Sequence, residues 1–459
     1  MAKLLIANRG EIARRIIRSC RRLGVATVAV YSEADASAAH VGDADEAFPI
    51  GGPRPQDSYL QSGRLIETAL RCGATLIHPG YGFLSENAAF ARAVGAAGLT
   101  WVGPSPDQIE LMGDKSRARS AAAAAGVPVV HGSRRFPAGD TAGLDEAARD
   151  VGFPLLVKAA AGGGGIGMRR VDSPDKLAET VAATQSMAAK AFGDGAVYLE
   201  RFIPRARHVE IQVFGDGRGG AIHLFERDCS LQRRFQKVIE ESPAPGLSAS
   251  VAERMAATAV GLARSTNYAG AGTVEFIVDS KTHDFYFLEM NTRIQVEHPV
   301  TEMLTGVDLV GHQIELARGR LSSLDQSALE RRGAAIECRL YAENPAKHFF
   351  PSPGRLTTFR LPAGEPWLRI DSGYREGDEI TPFYDPLVAK LITRGETREE
   401  ARMRAIAALR DMRVDGIKSN RAFLIACLMH PEFIAGQPWT GLIDTHLKDL
   451  IAHAQTYDV

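Results

Sequence analysis

Two glutamates set the chemistry open to this sequence. Thr273-Val274-Glu275-Phe276-Ile277-Val278 and Phe285-Tyr286-Phe287-Leu288-Glu289-Met290 are apolar runs separated by a polar turn, Asp279 to Asp284. Paired as an antiparallel hairpin centred near Thr282, they bring Glu275 opposite Glu289 or one place from it, within side-chain reach. Two carboxylates facing each other in otherwise apolar strands repel, and a cation resolves the repulsion. Oxygen ligands at this spacing suit Mg²⁺ (or Mn²⁺), which usually bridges protein carboxylates to nucleotide phosphates.

The chain continues Asn291-Thr292-Arg293-Ile294-Gln295-Val296-Glu297-His298-Pro299. At period two, Glu289, Asn291, Arg293, Gln295 and Glu297 share a face, while Met290, Ile294 and Val296 take the other. That face carries a metal ligand, an amide, a cation and a further carboxylate. Fully extended, its eight steps span roughly 26 Å at about 3.3 Å each, so the segment must curl to serve one pocket. A solvated edge strand is the plainer alternative, but it does not account for two acids in buried-type strands.

Upstream stands Ala161-Gly162-Gly163-Gly164-Gly165-Ile166-Gly167. Successive glycines let the backbone approach a ligand closely, and their free N–H groups make a concave anion site. A Walker or dinucleotide loop runs from a strand into a helix. Here an apolar strand, Leu155 to Lys158, precedes the loop and another, Met168 to Val171, follows. The expectation is a hairpin lid over phosphates, with Lys158 reaching a phosphate oxygen; a mobile surface hairpin is the bland alternative. Ala7-Asn8-Arg9-Gly10-Glu11, with Glu33 and Asp35 further on, looks like half a dinucleotide site. It has one glycine where that fingerprint needs three.

The elements that must carry these groups change character along the chain. Strands are expected at Lys3 to Ala7, Thr27 to Tyr31, Thr75 to His78 and Thr100 to Val102, alternating with helices at Glu11 to Leu23, Tyr59 to Cys72 and Ala88 to Ala97. Such alternation implies a parallel sheet covered by helices. Ser105-Pro106-Asp107-Gln108 reads as a capping box opening a helix, and Ser173-Pro174 as a second helix start. Val209 to Val213 alternates like the two glutamate strands, an antiparallel pattern. A polar stretch near Ser322 to Arg332 reads as a boundary. Beyond it, short strands at Ile336 to Leu340, Leu356 to Phe359 and Leu387 to Ile392 mix with two or three helices, one opened by a capping box at Thr397 to Glu400.

Composition bounds the rest. With 54 basic against 55 acidic residues, the chain lacks the positive field of a general nucleic-acid or membrane-surface binder. Its five cysteines (Cys20, Cys72, Cys229, Cys338 and Cys427) are odd in number and form no CxxC pair, which points to small buried hydrophobes in a reduced, cytoplasmic protein. The apolar start is too short for a signal peptide, and no stretch approaches the roughly 20 apolar residues of a spanning helix.

These motifs resemble those of biotin carboxylases, the ATP-grasp subunits and domains of acyl-CoA, pyruvate and urea carboxylases. The resemblance runs nearly end to end. It includes Ile6 to Ala13, His78 to Asn87, Met112 to Lys115, the glycine loop, Arg207 to Val213, Glu226 to Arg234, Glu289 to Glu302 and Ala335 to Arg339. It implies an α/β (α+β) architecture. An N-terminal Rossmann-like parallel domain would cover 1–113 and an ATP-grasp domain 114–330, with a glycine-rich lid at about 131–204. A mixed α+β C-terminal domain would cover 331–459.

The resemblance also implies roles. Lys115, Lys158 and His208 would contact ATP phosphates, with Gly163, Gly164 and Gly165 in the lid. Glu200, Arg201, Phe202 and Ile203 would hold adenine through backbone groups and an apolar wall, and Gln232 would lie near the ribose or phosphates. Glu275 and Glu289 would hold the metal, with Asn291 beside them. Lys237 and Arg293 would bind bicarbonate, and Glu297 would be the general base. Arg339 would stabilise biotin's enolate, with Tyr81 beside the ureido ring. Tyr81 as a packing aromatic, His208 as a cap and Arg339 as a structural cation are the bland alternatives; His298 reads as structural.

Two residues depart from the family pattern. Many relatives carry Arg or Lys where Ile166 stands, and acetyl-CoA-type enzymes often have His in place of Phe235. The chain holds no Met-Lys-Met and ends soon after the carboxylase-like region. The expectation is therefore a biotin carboxyl carrier protein and a carboxyltransferase as separate partners, and a homodimer by resemblance. Three other functions compete: an acyl-phosphate ligase joining a carboxylate to an amine, a scaffold with a worn nucleotide site, and a nicotinamide enzyme. Arg293 to Glu297 and Arg339 favour biotin carboxylation over the first. Intact Lys115, Lys158, Glu275, Glu289 and Glu297 speak against the second, and the missing glycines against the third.

Overall fold

The computed structural model describes residues 2–160, 167–321 and 325–457. Gly163, Gly164, Gly165 and Ile166 lie outside the described residues, as do 322–324 of the expected boundary.

The N-terminal region forms a five-stranded sheet from β1 (Lys3–Ile6), β2 (Ala26–Tyr31), β3 (Glu46–Pro49), β4 (Leu76–His78) and β5 (Thr100–Trp101), in the order β3-β2-β1-β4-β5. Every pairing is parallel. Leu4, Leu5, Ile6, Val28, Ala29 and Val30 are fully buried, as continuous apolar strands covered on both faces must be. Helix Gly10–Arg22 buries Ile12, Ile16 and Ile17 in the adjoining core. The strand order reverses at β1, so the loops after β1 and β4 flank a topological switch point, where ligands bind in such sheets. Asn8 ties the two loops together by donating to the carbonyls of Pro79 and Tyr81, each at 2.7 Å. β3 and helix Ala39–Asp43 have no counterpart in the sequence reading; β3 is a half-exposed edge strand ending in proline, and it gives no apolar run.

Helix Pro106–Gly113 opens with the expected capping box at Ser105 and Gln108. Helix Lys115–Ala124 follows at once, capped by Asp114. Next comes an antiparallel sheet of β6 (Leu155–Ala159), β7 (Met168–Val171) and β8 (Val197–Arg201), in the order β7-β6-β8. Its strands flank the glycine loop as expected. Ser173 does not cap the next helix: its hydroxyl turns to Asp175, and a 3₁₀ turn, Pro174–Lys176, precedes helix Leu177–Phe192.

The largest sheet contains β9 (Ala206–Asp216), β10 (Ala221–Arg233), β11 (Gln236–Ser242), β12 (Ala269–Asp279), β13 (Phe285–Asn291) and β14 (Ala334–Tyr341), with strands Leu368–Ser372 and Leu387–Gly395. The order is β13-β12-β9-β10-β11-β14, then Leu387–Gly395 and Leu368–Ser372, all antiparallel. The pairing of β11 with β14 carries this sheet across the polar stretch near residue 330. Side chains from both halves of the chain can therefore share one face.

The C-terminal region has helices Arg398–Asp411, Arg421–Leu428 and Leu447–Ala454, plus the single turns Pro431–Ile434 and Leu442–Thr445, more than the two or three expected. Thr397 Oγ1 accepts the Glu400 N–H at 3.2 Å, but the Glu400 carboxylate takes the N–H of Glu396, so only half the expected capping box forms. The strand expected at Leu356 to Phe359 is Thr358–Arg360. Cys20, Cys229, Cys338 and Cys427 are buried and Cys72 is partly so. Among the described residues no helix is long and apolar enough to cross a membrane.

Candidate active site

The β12–β13 hairpin pairs Glu275 directly with Glu289. The next ladder extends the row, because β9 places Glu210 opposite Glu275. Three carboxylates thus line up across three strands. Burial and the charge of Glu275 push the Glu289 carboxyl above its ordinary value. Burial opposes ionisation of Glu275 too, but Lys237 and His208 outweigh it and hold this carboxylate well below the usual range. Two opposed oxygen donors whose repulsion raises one of them are what a hard divalent cation relieves, so the residues present fit Mg²⁺. Asn291 stands beside them, donating to Glu275 Oε1 at 2.9 Å. His208 Nε2 is 3.0 Å from Glu275 Oε2, and His208, Glu210 and Glu275 offer ligand atoms within 4.8 Å of one another.

Lys237 is brought to this row by a tight turn. Arg234 and Phe235, the two residues joining β10 to β11, have φ of 47° and 67°, the left-handed geometry that two-residue hairpins demand. Gln232 and Lys237 are then paired across the hairpin, and Phe235 points outward, 62% exposed. Lys237 Nζ lies 2.7 Å from Glu210, 2.9 Å from Glu275 and 2.5 Å from Glu297. Burial works against its charge, and the surrounding carboxylates more than restore it.

Glu297 reaches Lys237 because the chain curls, as the span of the polar stripe required. β13 ends at Asn291, and helix His298–Thr305 begins directly after Glu297. Ile294 is fully buried inside the bend, and Gln295 is gripped by the guanidinium of Arg227 at 2.9 Å. His298 is buried, with Nδ1 2.6 Å from the Gln295 carbonyl, a structural role as expected. On the other side of Glu297, Arg339 of β14 approaches Oε2 at 3.0 Å. Burial alone would raise Glu297, yet Lys237, Arg339 and Arg227 together hold it far below the usual carboxylate range.

The remaining expected residues lie in four places. Arg293 donates to Glu86 at 2.9 Å and to Asn291 at 3.0 Å, at the edge of the acid row. Tyr81, at the switch point, donates to Glu11, which pairs with Lys390 at 3.0 Å. Lys115 opens its helix, and its charge acts on Glu289. The lid residues pair among themselves: Lys158 on β6 forms an ion pair with Glu200 on β8, and Arg119 adds a second contact at 3.3 Å. The Arg201 and Phe202 N–H groups are engaged by the carbonyls of His131 and Pro154. Ile203 is partly buried in the connection from β8 to β9.

A cavity of about 670 Å³ opens between helix Lys115–Ala124 and the lid sheet, lined by Lys115, Arg119, Val129, Arg135, Ala160 and Tyr198. Its size and basic lining suit a polyanionic nucleotide. A larger cavity of about 880 Å³ lies elsewhere, between Arg413–Ser419 and helix Arg421–Leu428, and its lining includes none of the expected residues.

Several residues of the cluster were not singled out from the sequence. Glu210 sits two places after His208 in an alternating strand, a visible signal whose meaning depends on the β9–β12 register. Arg227 is fully buried and donates to Glu210, Gln212, Thr301 and Gln295; a charge in an apolar-rich strand was the signal available. Glu240 pairs with Arg339 from behind. Nothing in its local sequence marks it.

A Rossmann-like sheet, a small antiparallel sheet flanking the glycine loop and an acid row on a large antiparallel sheet define an ATP-grasp enzyme. The sequence matches the family described as biotin carboxylase, N-terminal domain, over residues 1–109. It matches the carbamoyl-phosphate synthase L chain, ATP binding domain, over 114–325 and the biotin carboxylase C-terminal domain over 337–445. It is 50% identical over 445 residues to biotin carboxylase 2 of Bacillus subtilis, covering 97% of this chain and 99% of that protein. The fold is similar to the biotin carboxylase domain dimer of Hydrogenobacter thermophilus 2-oxoglutarate carboxylase, solved with MgADP, ADP and bicarbonate: TM-score 0.91, 43% identity, covering 100% of this chain and 98% of that one. It is equally similar to the Campylobacter jejuni biotin carboxylase in its βγ-ATP complex, with TM-score 0.91, 41% identity and coverage of 97% and 98%. The chain belongs to the biotin carboxylase family.

Proposed function

We propose that the protein uses ATP and bicarbonate to carboxylate biotin, and that the residues of the acid row and its two flanking cations divide the work. The observation that carries this reading is the position of Glu297, a buried carboxylate held between Lys237 and Arg339 beside the Glu275–Glu289 pair. Candidates for a base, an oxyanion clamp and a metal-binding row thus stand side by side. The bicarbonate and MgADP held by the 2-oxoglutarate carboxylase domain support the same ligands here.

Glu297 is the general base. With Lys237 and Arg339 both upon it, it is a poor proton acceptor. A bound bicarbonate would draw Lys237 and Arg293 onto its own oxygens, which raises the basicity of Glu297 at the moment a proton is to be taken. The deprotonated bicarbonate attacks the γ-phosphate, and carboxyphosphate forms as the bond to ADP breaks. Carboxyphosphate yields CO₂ and phosphate, phosphate takes the N1 proton of biotin, and N1 then bonds to the CO₂ carbon to give carboxybiotin. Arg339 presents a fixed cationic fork to the enolate oxygen, with Tyr81 beside the ring. A metal ion held by Glu275 and Glu289, with Asn291 beside it, would neutralise phosphate charge. Lys115, His208 and Gln232 bind and orient the nucleotide, and Lys158 joins them after leaving Glu200. Glu200 to Ile203 serve the adenine.

The division into 1–113, 114–330 and 331–459 is supported by the family matches, and a lid at about 131–204 by the separate three-stranded sheet β7-β6-β8. Biotin arrives on a separate carrier protein, a carboxyltransferase completes the reaction and the protein is a homodimer, as the family resemblance supports; a cytoplasmic location is supported by the five unpaired cysteines. The carboxyl acceptor is an acyl-CoA, with a urea-type acceptor as the alternative.

The test is phosphate release from ATP with and without bicarbonate, each with and without free biotin. Bicarbonate-dependent, biotin-stimulated release is expected. Stimulation instead by an amine and a carboxylate, or nucleotide binding with no release, would contradict the reading.

A further inference from the structure

The face of the large sheet behind Arg339 carries more acid than the mechanism uses. β11 and β14 pair Glu240 directly with Glu337. Alternation puts Arg339 on the same face, two residues beyond Glu337, and Lys390 of strand Leu387–Gly395 lies opposite Arg339. Glu240, Glu337 and Lys390 are fully buried. Directly opposed side chains in an antiparallel pair stand within contact of each other. Neither carboxyl oxygen of Glu337 has a hydrogen-bond partner among the described residues.

Positive charge on this face is already engaged. Arg339 Nη2 pairs with Glu240 Oε1 in the interior and with Glu297 Oε2 at 3.0 Å on the pocket side. Lys390 is held by Glu11 at 3.0 Å and by the Val296 carbonyl at 2.8 Å. Lys390 and Arg339 favour the Glu337 anion from a distance, but among the described residues neither pairs with it, and burial beside Glu240 outweighs them; two opposed interior carboxylates so placed do not both ionise. A single proton removes the conflict: it turns two facing acceptors into a donor and an acceptor.

We infer that Glu240 and Glu337 are a proton-sharing pair that positions Arg339, with Glu337 donating to Glu240 and Glu240 remaining the anionic rear partner of the guanidinium. Because Glu240 and Glu297 compete for the same nitrogen, the rear anchor keeps Arg339 from collapsing onto the base. The inference rests on the functional reading above, in which Glu297 is the base and Arg339 faces biotin. Burial pushes Glu240 up to about 7 and Glu337 well above the ordinary value, in the direction the geometry requires. The other titratable and charged groups facing the pair are Lys237, Cys229 and Glu297 on the pocket side, Tyr341 on β14, and Lys390 with His298 beyond.

The experiment compares wild type, Glu337→Gln, Glu337→Met and Glu240→Gln in bicarbonate-dependent ATP cleavage, in carboxylation of free biotin and in MgATP binding. The side-chain amide introduced by Glu337→Gln can still donate to Glu240, so biotin kcat/KM should stay within about threefold of wild type, whereas Glu337→Met and Glu240→Gln should lose about tenfold to a hundredfold with MgATP affinity kept. Equal loss in Glu337→Gln and Glu337→Met would overturn the inference. A wild-type enzyme without bicarbonate-dependent cleavage would instead overturn the functional reading. A second measurement needs no variant: the infrared spectrum of the wild-type protein at neutral pH should contain the carbonyl band of an un-ionised buried carboxyl. Its absence would overturn the inference whether or not the variants fold.

Discussion

Lys237 Nζ stands 2.5 Å from Glu297 Oε1 and reaches Glu210 and Glu275 from the same position. One ammonium thus joins the proposed metal-binding row to the proposed base. Ligand-free, this pairing stabilises the ionised form of Glu297 and suppresses its basicity. Glu297→Gln should bind ATP normally and lose bicarbonate-dependent turnover by about a hundredfold or more. A rate near that of wild type, measured as phosphate release at saturating bicarbonate, would remove Glu297 from the mechanism.

Glu275 and Glu289 make a complementary prediction. Their opposition destabilises the apoprotein, since burial and Glu275 both push Glu289 up. Glu289→Gln should therefore leave the melting temperature of the metal-free protein unchanged or higher. It should also raise the Mg²⁺ concentration for half-maximal ATP cleavage by about tenfold, the cost of one charged ligand. An unchanged Mg²⁺ requirement would show that Glu289 does not hold the metal.

Arg339 separates the two half-steps. Arg339→Ala should impair biotin carboxylation about a hundredfold more than bicarbonate-dependent ATP cleavage, because the guanidinium stabilises charge that develops only on biotin. Assaying both reactions in one preparation decides the matter; equal losses would assign Arg339 to bicarbonate rather than biotin.

How much of this was legible in the sequence follows from the range of each interaction. The Glu275–Glu289 pairing depended on one short hairpin, whose register could be counted from the turn to within one place; a bulge between Glu275 and Phe276 brings Glu289 rather than Leu288 opposite Glu275. The curl from Asn291 to Glu297 was required by distance alone. The parallel sheet was visible wherever a strand was apolar throughout, and β3 was missed because an exposed edge strand ending in Pro49 has no such run. Glu210, Arg227 and Glu240 join the site through pairings between β9, β10, β11, β12 and β14, strands far apart in sequence. No local pattern encodes those registers. Lys158 was expected at a phosphate. Its ion pair with Glu200 was not foreseen, because it depends on the pairing of β6 with β8, which brings the two side chains onto one face.

Stability should respond to acid through a group remote from the site. Burial pushes His40 down to about 4, while its Nε2 lies 3.2 Å from the Val30 carbonyl. The unfolded imidazole takes its proton near pH 6.5, so this contribution is complete above that pH. It is lost as pH falls from about 6.5 towards 4, by roughly 1.4 kcal/mol per pH unit. Urea unfolding at a series of pH values should show a slope of this sign, to which buried His78 and His298 add, and His40→Gln should reduce it by roughly 1.4 kcal/mol per pH unit. An identical slope in the variant would exclude His40 as its source.

The central claim is that Glu297, Lys237 and Arg293 turn bicarbonate into the nucleophile that attacks ATP. Bicarbonate labelled with ¹⁸O tests it most directly. If bicarbonate attacks the γ-phosphate, one labelled oxygen must appear in each inorganic phosphate released. If the label stays out of phosphate while ATP is cleaved, water is the attacking group and the account of this site is wrong.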